Sequence, residues 1–138
     1  MVTESWSQPF RWGLLMAFDD DNDWVLPEGI GGGGVYATST CLAVTVLHAQ
    51  DVEVPDDWPD DAEIPEAQVR LTLIVDDEVP GTEPEYDGTF LCPSGRLSLG
   101  DAETSQVHQV PAGPLRLRVW REPVQYSEAV TIHVSAPG

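Results

Sequence analysis

The stretch of this sequence with the clearest chemical potential is Asp-Asp-Trp-Pro-Asp-Asp at residues 56–61. One large aromatic ring stands between two pairs of carboxylates, and the proline restricts the backbone. Tryptophan is enriched among the residues that dominate protein interfaces, and charged rims speed and orient an encounter. The motif therefore predicts a surface for a basic partner, with the acids imitating phosphate groups. The predicted contact residues are Asp56, Asp57, Trp58, Asp60, Asp61 and Glu63. In the competing interpretation, Trp58 folds back as a lid over the core and the acids are merely solvated.

A second acidic cluster, Asp-Asp-Asp-Asn-Asp at residues 19–23, raises the possibility of a calcium site. The EF-hand pattern fails there, because Trp24 occupies the position of the turn glycine and Ile30 that of the bidentate glutamate. A looser calcium site on a β-sandwich loop is one alternative. A solvated turn is the other, since Asp and Asn form such turns readily. The metal ligands, if any, are therefore left unassigned.

No arrangement of residues nominates a catalytic site. The sequence contains no lysine, which excludes a Schiff-base nucleophile and a Walker loop in the glycine run at 29–34. His48, His108 and His133 are widely separated, and the Gly-x-Ser-x-Gly, His-Glu-x-x-His and Cys-x-x-Cys motifs are missing. We therefore predict a protein that is not an enzyme, with no catalytic residues and no cofactor.

The charge of the chain is unevenly distributed. The 24 acids outnumber the six arginines to give a net charge of −18, and residues 1–87 hold 20 of the acids with only two arginines. Such a field repels nucleic acid and anionic membranes and attracts basic partners. Along residues 115–120, Arg116, Arg118 and Trp120 share the predicted outward face of a strand. We expect these arginines to pair with the acidic loops of the same chain.

The remaining composition points to an intracellular protein. Neither a signal peptide nor an apolar run long enough for a membrane span is visible, which predicts a cytoplasmic location. Cys41 and Cys92 are too few for a disulfide framework and too far apart for a metal knuckle. We expect both to be reduced, buried thiols. No oligomeric state follows from the sequence.

Alternation of apolar and polar residues predicts an all-β chain, with residues 1–138 forming a single domain. The fold expected is an antiparallel β-sandwich of about seven to eight strands, with a barrel as the alternative. The predicted strands are residues 10–18, 35–49, 69–75, 88–91, 96–99, 106–110, 115–121 and 129–135. Pro111–Pro114 is expected to be the turn of a hairpin that joins strands 106–110 and 115–121. Two long acidic connections, 51–67 and 76–87, hold 14 of the 24 acids and are the predicted functional loops.

Two segments of the C-terminal third resemble a pattern found in small bacterial β-sandwich proteins. They are Gly95–Asp101, with the sequence GRLSLGD, and Val110–Val119, with the sequence VPAGPLRLRV. In that pattern a Leu-x-Leu strand leads to a Pro-x-Gly turn followed by Leu-Arg-Leu-Arg-Val. Among such proteins the chain is similar to the competence-protein-J-like nuclease inhibitors in size, acidity and all-β character. The resemblance implies a cytosolic inhibitor or immunity protein that occupies the substrate groove of a basic nuclease.

The function expected is therefore that of a non-enzymatic acidic binding module, an inhibitor or immunity protein for a basic partner such as a nuclease or toxin. One alternative is a calcium-dependent or carbohydrate-binding sandwich that uses residues 19–23 and exposed tryptophans. The other is adaptation to high salt, in which the acids only hold water. Their clustering in the first two-thirds of the chain speaks against salt adaptation, because an adapted surface is acidic throughout.

Overall fold

The computed structural model describes residues 2–30, 34–50, 56–59, 61, 66–75, 83–101, 105–122 and 127–136, in which ten strands form two sheets. The strands are β1 (Val2–Gln8), β2 (Leu14–Asp19), β3 (Val35–Ala37), β4 (Cys41–Thr45), β5 (Val69–Val75), β6 (Tyr86–Cys92), β7 (Arg96–Gly100), β8 (Ser105–Gln109), β9 (Gly113–Glu122) and β10 (Ala129–Ser135). Across these ranges no helix is present, so none is long and apolar enough to span a membrane.

The strands confirm the predicted antiparallel β-sandwich, although they number ten rather than seven to eight. Sheet A has the order β1-β5-β10-β9-β6, and sheet B has the order β3-β4-β2-β7-β8. Neighbouring strands run antiparallel except for β5 and β10, which are parallel. Both sheets are open, so the barrel alternative does not apply.

A single hydrophobic core lies between the two sheets. Sheet A supplies alternate residues of β5, β9 and β10, and sheet B supplies alternate residues of β2, β4 and β7. The core residues with at most 1% of their surface exposed include Leu15, Leu42, Val44, Val69, Leu71, Leu97, Leu99, Leu115, Leu117, Val119, Val130, Ile132 and Val134. The period of two in the sequence thus follows the inner faces of the sheets. Cys41–Val44 is buried on both faces, which fits the lack of carboxylates in residues 35–49.

The first predicted strand is corrected in both extent and orientation. Alternation along residues 10–18 predicts one face made of Phe10, Trp12, Leu14, Met16 and Phe18. Strand β2 begins at Leu14, because a turn closed by a hydrogen bond from Gly13 N to Phe10 O (3.1 Å) precedes it. Phe10 is fully buried, but it enters the core from that turn. Within β2 the core residues are Leu15 and Ala17. Phe18 lies on the outer face of sheet B, where Trp24 stacks on it with ring centroids 4.7 Å apart.

The predicted hairpin of residues 106–121 is wrong. Strand β8 pairs with β7 in sheet B, whereas β9 pairs with β6 and β10 in sheet A. The Pro-Ala-Gly-Pro segment therefore carries the chain from one sheet to the other, and the true hairpin is β7–β8. A second crossing links β6 to β7 through a turn closed by Gly95 N and Cys92 O (3.1 Å). Gly95 has a φ of 73°, which glycine adopts without strain.

Two further differences concern the first half of the chain. The predicted strand 35–49 is two strands, β3 and β4, separated by a turn in which Thr38 N donates to Cys41 O (2.9 Å). Strand β1 was not predicted, because its sequence VTESWSQ is mostly polar. It forms the edge of sheet A and pairs with β5 along its whole length.

Candidate functional site

The predicted contact surface lies in a segment that the structure describes only in part. Asp56, Asp57 and Asp61 are exposed, and Trp58 is half-buried. Asp60 and Glu63 lie outside the described residues. No partner of the three exposed carboxylates occurs in the described parts of the chain. The acids are thus accessible, and Trp58 has both a covered and a solvent-facing part.

Most of the arginines are paired with acids other than these three. Arg11 Nε donates to Glu66 Oε2 (3.0 Å), and Arg96 Nη1 donates to Asp21 Oδ1 (3.2 Å). Arg96 also lies 3.3 Å from Asp20 through Nη2 and Oδ2. Five of the six arginines make such pairs within the described ranges, and the sixth, Arg70, lies exposed on β5. Within the described residues, no arginine therefore neutralises Asp56, Asp57 or Asp61.

In the second predicted acidic loop, two of the three acids that the structure describes, Glu85 and Asp87, pair with arginines of the same chain. Arg116 forms a two-point contact with Asp87, with Nε–Oδ1 at 2.8 Å and Nη2–Oδ2 at 2.6 Å. Arg121 forms the same kind of two-point contact with Glu85, with Nε–Oε1 at 2.8 Å and Nη2–Oε2 at 2.5 Å. The hydrogen bonds from Arg116 lower the pKa of the Asp87 carboxyl, with the nearby positive charges adding to the effect. Asp76, Asp77 and Glu78 lie outside the described residues.

The predicted pairing of arginines with acids is confirmed, but the predicted open arginine face is not. Arg116 is exposed, whereas Arg118 is only 6% exposed. Its Nη1 lies 3.3 Å from Nδ1 of His133, a residue with no exposure at all. Trp120 meets His133 edge-on, with centroids 6.4 Å apart. The outer face of sheet A is therefore covered at its centre, and Arg118 is unavailable to an external anion.

The cluster at residues 19–23 is tied into the fold. Asp19 is 2% exposed, and it accepts hydrogen bonds from Ser94 N (2.9 Å), Ser94 Oγ (2.8 Å) and Asp21 N (2.8 Å). Burial opposes ionisation, but these donors outweigh it and hold the pKa of Asp19 well below its usual range. Among the described residues, no group of three or more His, Cys, Asp or Glu side chains is placed to hold a metal ion. The carboxylates of Asp19, Asp20 and Asp21 therefore bond to Ser94 and Arg96 of the same chain.

Both cysteines are buried, unbonded thiols, as expected from the sequence. Cys41 lies in β4 and Cys92 at the end of β6. Burial raises the pKa of each to about 11. A thiol in that state is a poor nucleophile.

A cavity that the sequence did not indicate opens between the edges of the two sheets. Its volume is about 320 Å³, and it is lined by Glu4, Leu73, Val75, Gln106, Val107, His108 and Gln109. His108 is 8% exposed, and its Nδ1 contacts Oε2 of Glu4. Trp6 stacks on its ring at 4.8 Å. In the sequence, the only pattern that could have pointed to this cavity is the weak alternation of β1, which carries Glu4 and Trp6.

Comparisons with known proteins bear on the fold and stop there. No family model matches the chain, and no curated protein matches it. Two solved structures share its fold over nearly the whole length. One is ComJ from Bacillus subtilis, described as an inhibitor of the DNA-degrading activity of NucA, with a TM-score of 0.59 and 12% identity over 99% of this chain and 100% of that one. The other, described as crocagin biosynthetic gene J, has a TM-score of 0.58 and 13% identity, and both chains are covered completely. At such identities the likeness establishes a shared architecture, not a family.

Proposed function

We propose that this protein is a non-enzymatic acidic binding module that inhibits a basic protein partner such as a nuclease. The observation that carries the proposal is the set of exposed carboxylates of Asp56, Asp57 and Asp61, which have no partner among the described residues, beside the half-buried Trp58. The fold shared with ComJ, itself described as an inhibitor of a DNA-degrading activity, supports this role and supports no enzymatic one.

The mechanism follows from charge and shape. Residues 56–61 and Glu63 would present carboxylates to the groove that a nuclease uses for phosphates, and basic side chains there would pair with them. The net charge of −18 steers the encounter. Trp58 would fill an apolar recess once the surrounding acids had oriented the two surfaces. Exclusion of nucleic acid from the groove is the inhibitory step.

The test separates steering from anchoring by binding kinetics, starting with any basic nuclease encoded beside this gene. Asp56, Asp57, Asp60 and Asp61 are changed together to Asn, which should slow association, because affinity steered by charge depends on the on-rate. Trp58→Ala should instead raise the off-rate, with a loss of about 2 kcal/mol if the ring is the anchor. Raising NaCl from about 50 to 500 mM shortens the Debye length from roughly 14 to 4 Å and should imitate the fourfold neutralisation.

A matched control neutralises four other exposed acids, Asp23, Glu28, Glu122 and Glu128, and leaves residues 56–61 intact. If the position of the acids matters, the control slows association much less than the first variant does. A nuclease whose binding ignores salt, the four aspartates and Trp58 would rule the proposal out.

A further inference from the structure

The four edges of the two sheets are protected to very different degrees. Sheet A ends in β1, which carries Glu4, and in β6, which carries Asp87. Sheet B ends in β3, which is three residues long, and in β8. Strand β8 has the sequence Ser-Gln-Val-His-Gln, with no carboxylate, arginine or proline. In the described part of the chain, it pairs with β7 alone.

An uncharged, five-residue edge is unusual in so acidic a protein. Sheet edges are normally blunted by charge, by proline or by short length, because their unpaired N–H and C=O groups attract other strands. Strand β8 uses none of these devices, and Val107 on it is 43% exposed. Among the described residues, this edge therefore has no pairing strand of its own.

The cavity between the sheets lies directly beside this edge, and four of its lining residues are Gln106–Gln109 of β8. Glu4 contributes a half-exposed carboxylate, and Leu73 and Val75 contribute an apolar wall. Nδ1 of His108 contacts this carboxylate. Within the described residues, its Nε2 is buried and lacks a hydrogen-bond partner. The cavity thus offers an anion beside an apolar wall.

We propose that β8 is a docking edge for an extended basic peptide segment, which adds to sheet B as a sixth strand. Main-chain hydrogen bonds to β8 provide the affinity, and alternate side chains of the segment face the cavity. A lysine or arginine fits there, because its stem packs on Leu73 and Val75 while its charged end reaches the half-exposed carboxylate of Glu4. A second copy of this chain fits poorly at the same edge, since two molecules of charge −18 repel one another.

This inference does not rest on the proposed function, because its test needs no nuclease and the cavity lining includes none of residues 56–61. The probe is acetyl-Thr-Val-Lys-Val-Thr-amide, titrated into the 15N-labelled protein and followed by NMR. Three sister peptides replace the lysine with glutamate, norleucine or proline. We expect saturable shifts of the Ser105–Gln109 amides, with a Kd of about 1 mM or tighter. The lysine peptide should bind most tightly, the norleucine peptide less tightly and the glutamate peptide most weakly. The proline peptide should not bind, because proline removes a hydrogen bond between the strands.

Two protein variants test the cavity. Glu4→Gln should weaken the lysine peptide about fivefold, the effect of one solvent-accessible charged contact, and should leave the norleucine peptide unchanged. Glu128→Gln removes the same charge from an exposed site elsewhere and should change neither.

The proposal would be overturned if the lysine and glutamate peptides bound with equal affinity, or if the proline peptide bound as tightly as the lysine peptide. So would shifts confined to residues 56–61, or no saturable shift of β8 at all. Shifts of the β8 amides that depend on protein concentration without peptide would identify a second copy as the occupant and reject the peptide.

Discussion

Asp19 shows how a residue that looks like a ligand from the sequence can be part of the framework. It lies at the end of β2, and three donors from Ser94 and Asp21 surround its carboxylate. The turn between β6 and β7 is thereby fastened to the end of β2. The charge is held by the fold and is not offered to a cation.

Replacing this carboxylate should cost stability in a pH-dependent way. Asp19→Asn points an amide group at the N–H of Ser94, and the lost charge-assisted hydrogen bonds should cost about 1–3 kcal/mol at pH 7. Because the folded pKa is depressed below the unfolded value, the contribution of Asp19 is full above the unfolded pKa and is lost as pH falls through the folded one. The difference in unfolding free energy between wild type and variant should therefore shrink as pH falls below about 4.

Urea denaturation at several pH values measures this difference. Asp23→Asn is the control, because Asp23 is exposed and has no partner in the described chain, so its loss should change stability by less than about 0.5 kcal/mol. A difference for Asp19→Asn that is constant from pH 7 to pH 3 would contradict the account.

At the level of the elements, the connections that cross between the sheets determine which side chains meet. The β6–β7 crossing places β6 next to β9 in sheet A, with Asp87 opposite Arg118 in the register. Asp87 therefore reaches both Arg116 and Arg118. The turn at Gly95 is tight, and a Cβ added there would lie 2.9 Å from the carbonyl oxygen of Val110.

Gly95→Ala should therefore destabilise the protein through two effects, backbone strain and steric conflict with Val110. Gly29→Ala is a matched control, because its φ of 75° is nearly that of Gly95 and a Cβ there meets nothing within 4 Å. The control should cost about 1 kcal/mol, the usual penalty for a left-handed residue, and Gly95→Ala about 1–2 kcal/mol more. Thermal unfolding of the two variants provides the comparison. Equal losses would mean that the contact with Val110 relaxes freely.

The alternation of residues predicted the class of fold and most inner faces, because those depend on neighbours along the chain. It could not distinguish a hairpin from a crossing at Pro111–Pro114, since the same turn residues serve both and the partner strands are distant in sequence. It missed β1 for a related reason: β1 is an edge strand, and edges tolerate polar residues. Which arginines contact Glu85 and Asp87 depends on the pairing of β6 with β9, two strands that are distant in the sequence. The acids at 56–61 remain a prediction from the motif alone.

For the whole molecule, charge is the dominant property. Six arginines oppose 24 acids, so most carboxylates lack a basic partner and repel one another. Exposed pairs such as Arg11–Glu66 contribute little to stability, because solvent and salt screen them. The repulsion is the larger of the two salt-dependent effects.

Added NaCl should therefore stabilise the protein. Between about 50 and 500 mM the screening should add roughly 1 kcal/mol, or about 4 °C in Tm for a domain of this size. The variant with Asn at positions 56, 57, 60 and 61 should gain less, because it carries four fewer charges. Scanning calorimetry of both proteins measures the effect. A Tm that falls with salt would show that the ion pairs outweigh the repulsion.

The position of β10 has a consequence for the order of events during synthesis. It lies between β5 and β9 and supplies the parallel pairing at the centre of sheet A, yet it follows both strands in the sequence. A nascent chain that has reached β9 therefore holds two halves of a sheet that cannot yet join. Their apolar inner faces stay open until residues 129–135 clear the ribosome exit tunnel. Sheet A is complete only once β10 has emerged, so we expect growing chains that stop short of residue 129 to expose these faces and to be prone to aggregation.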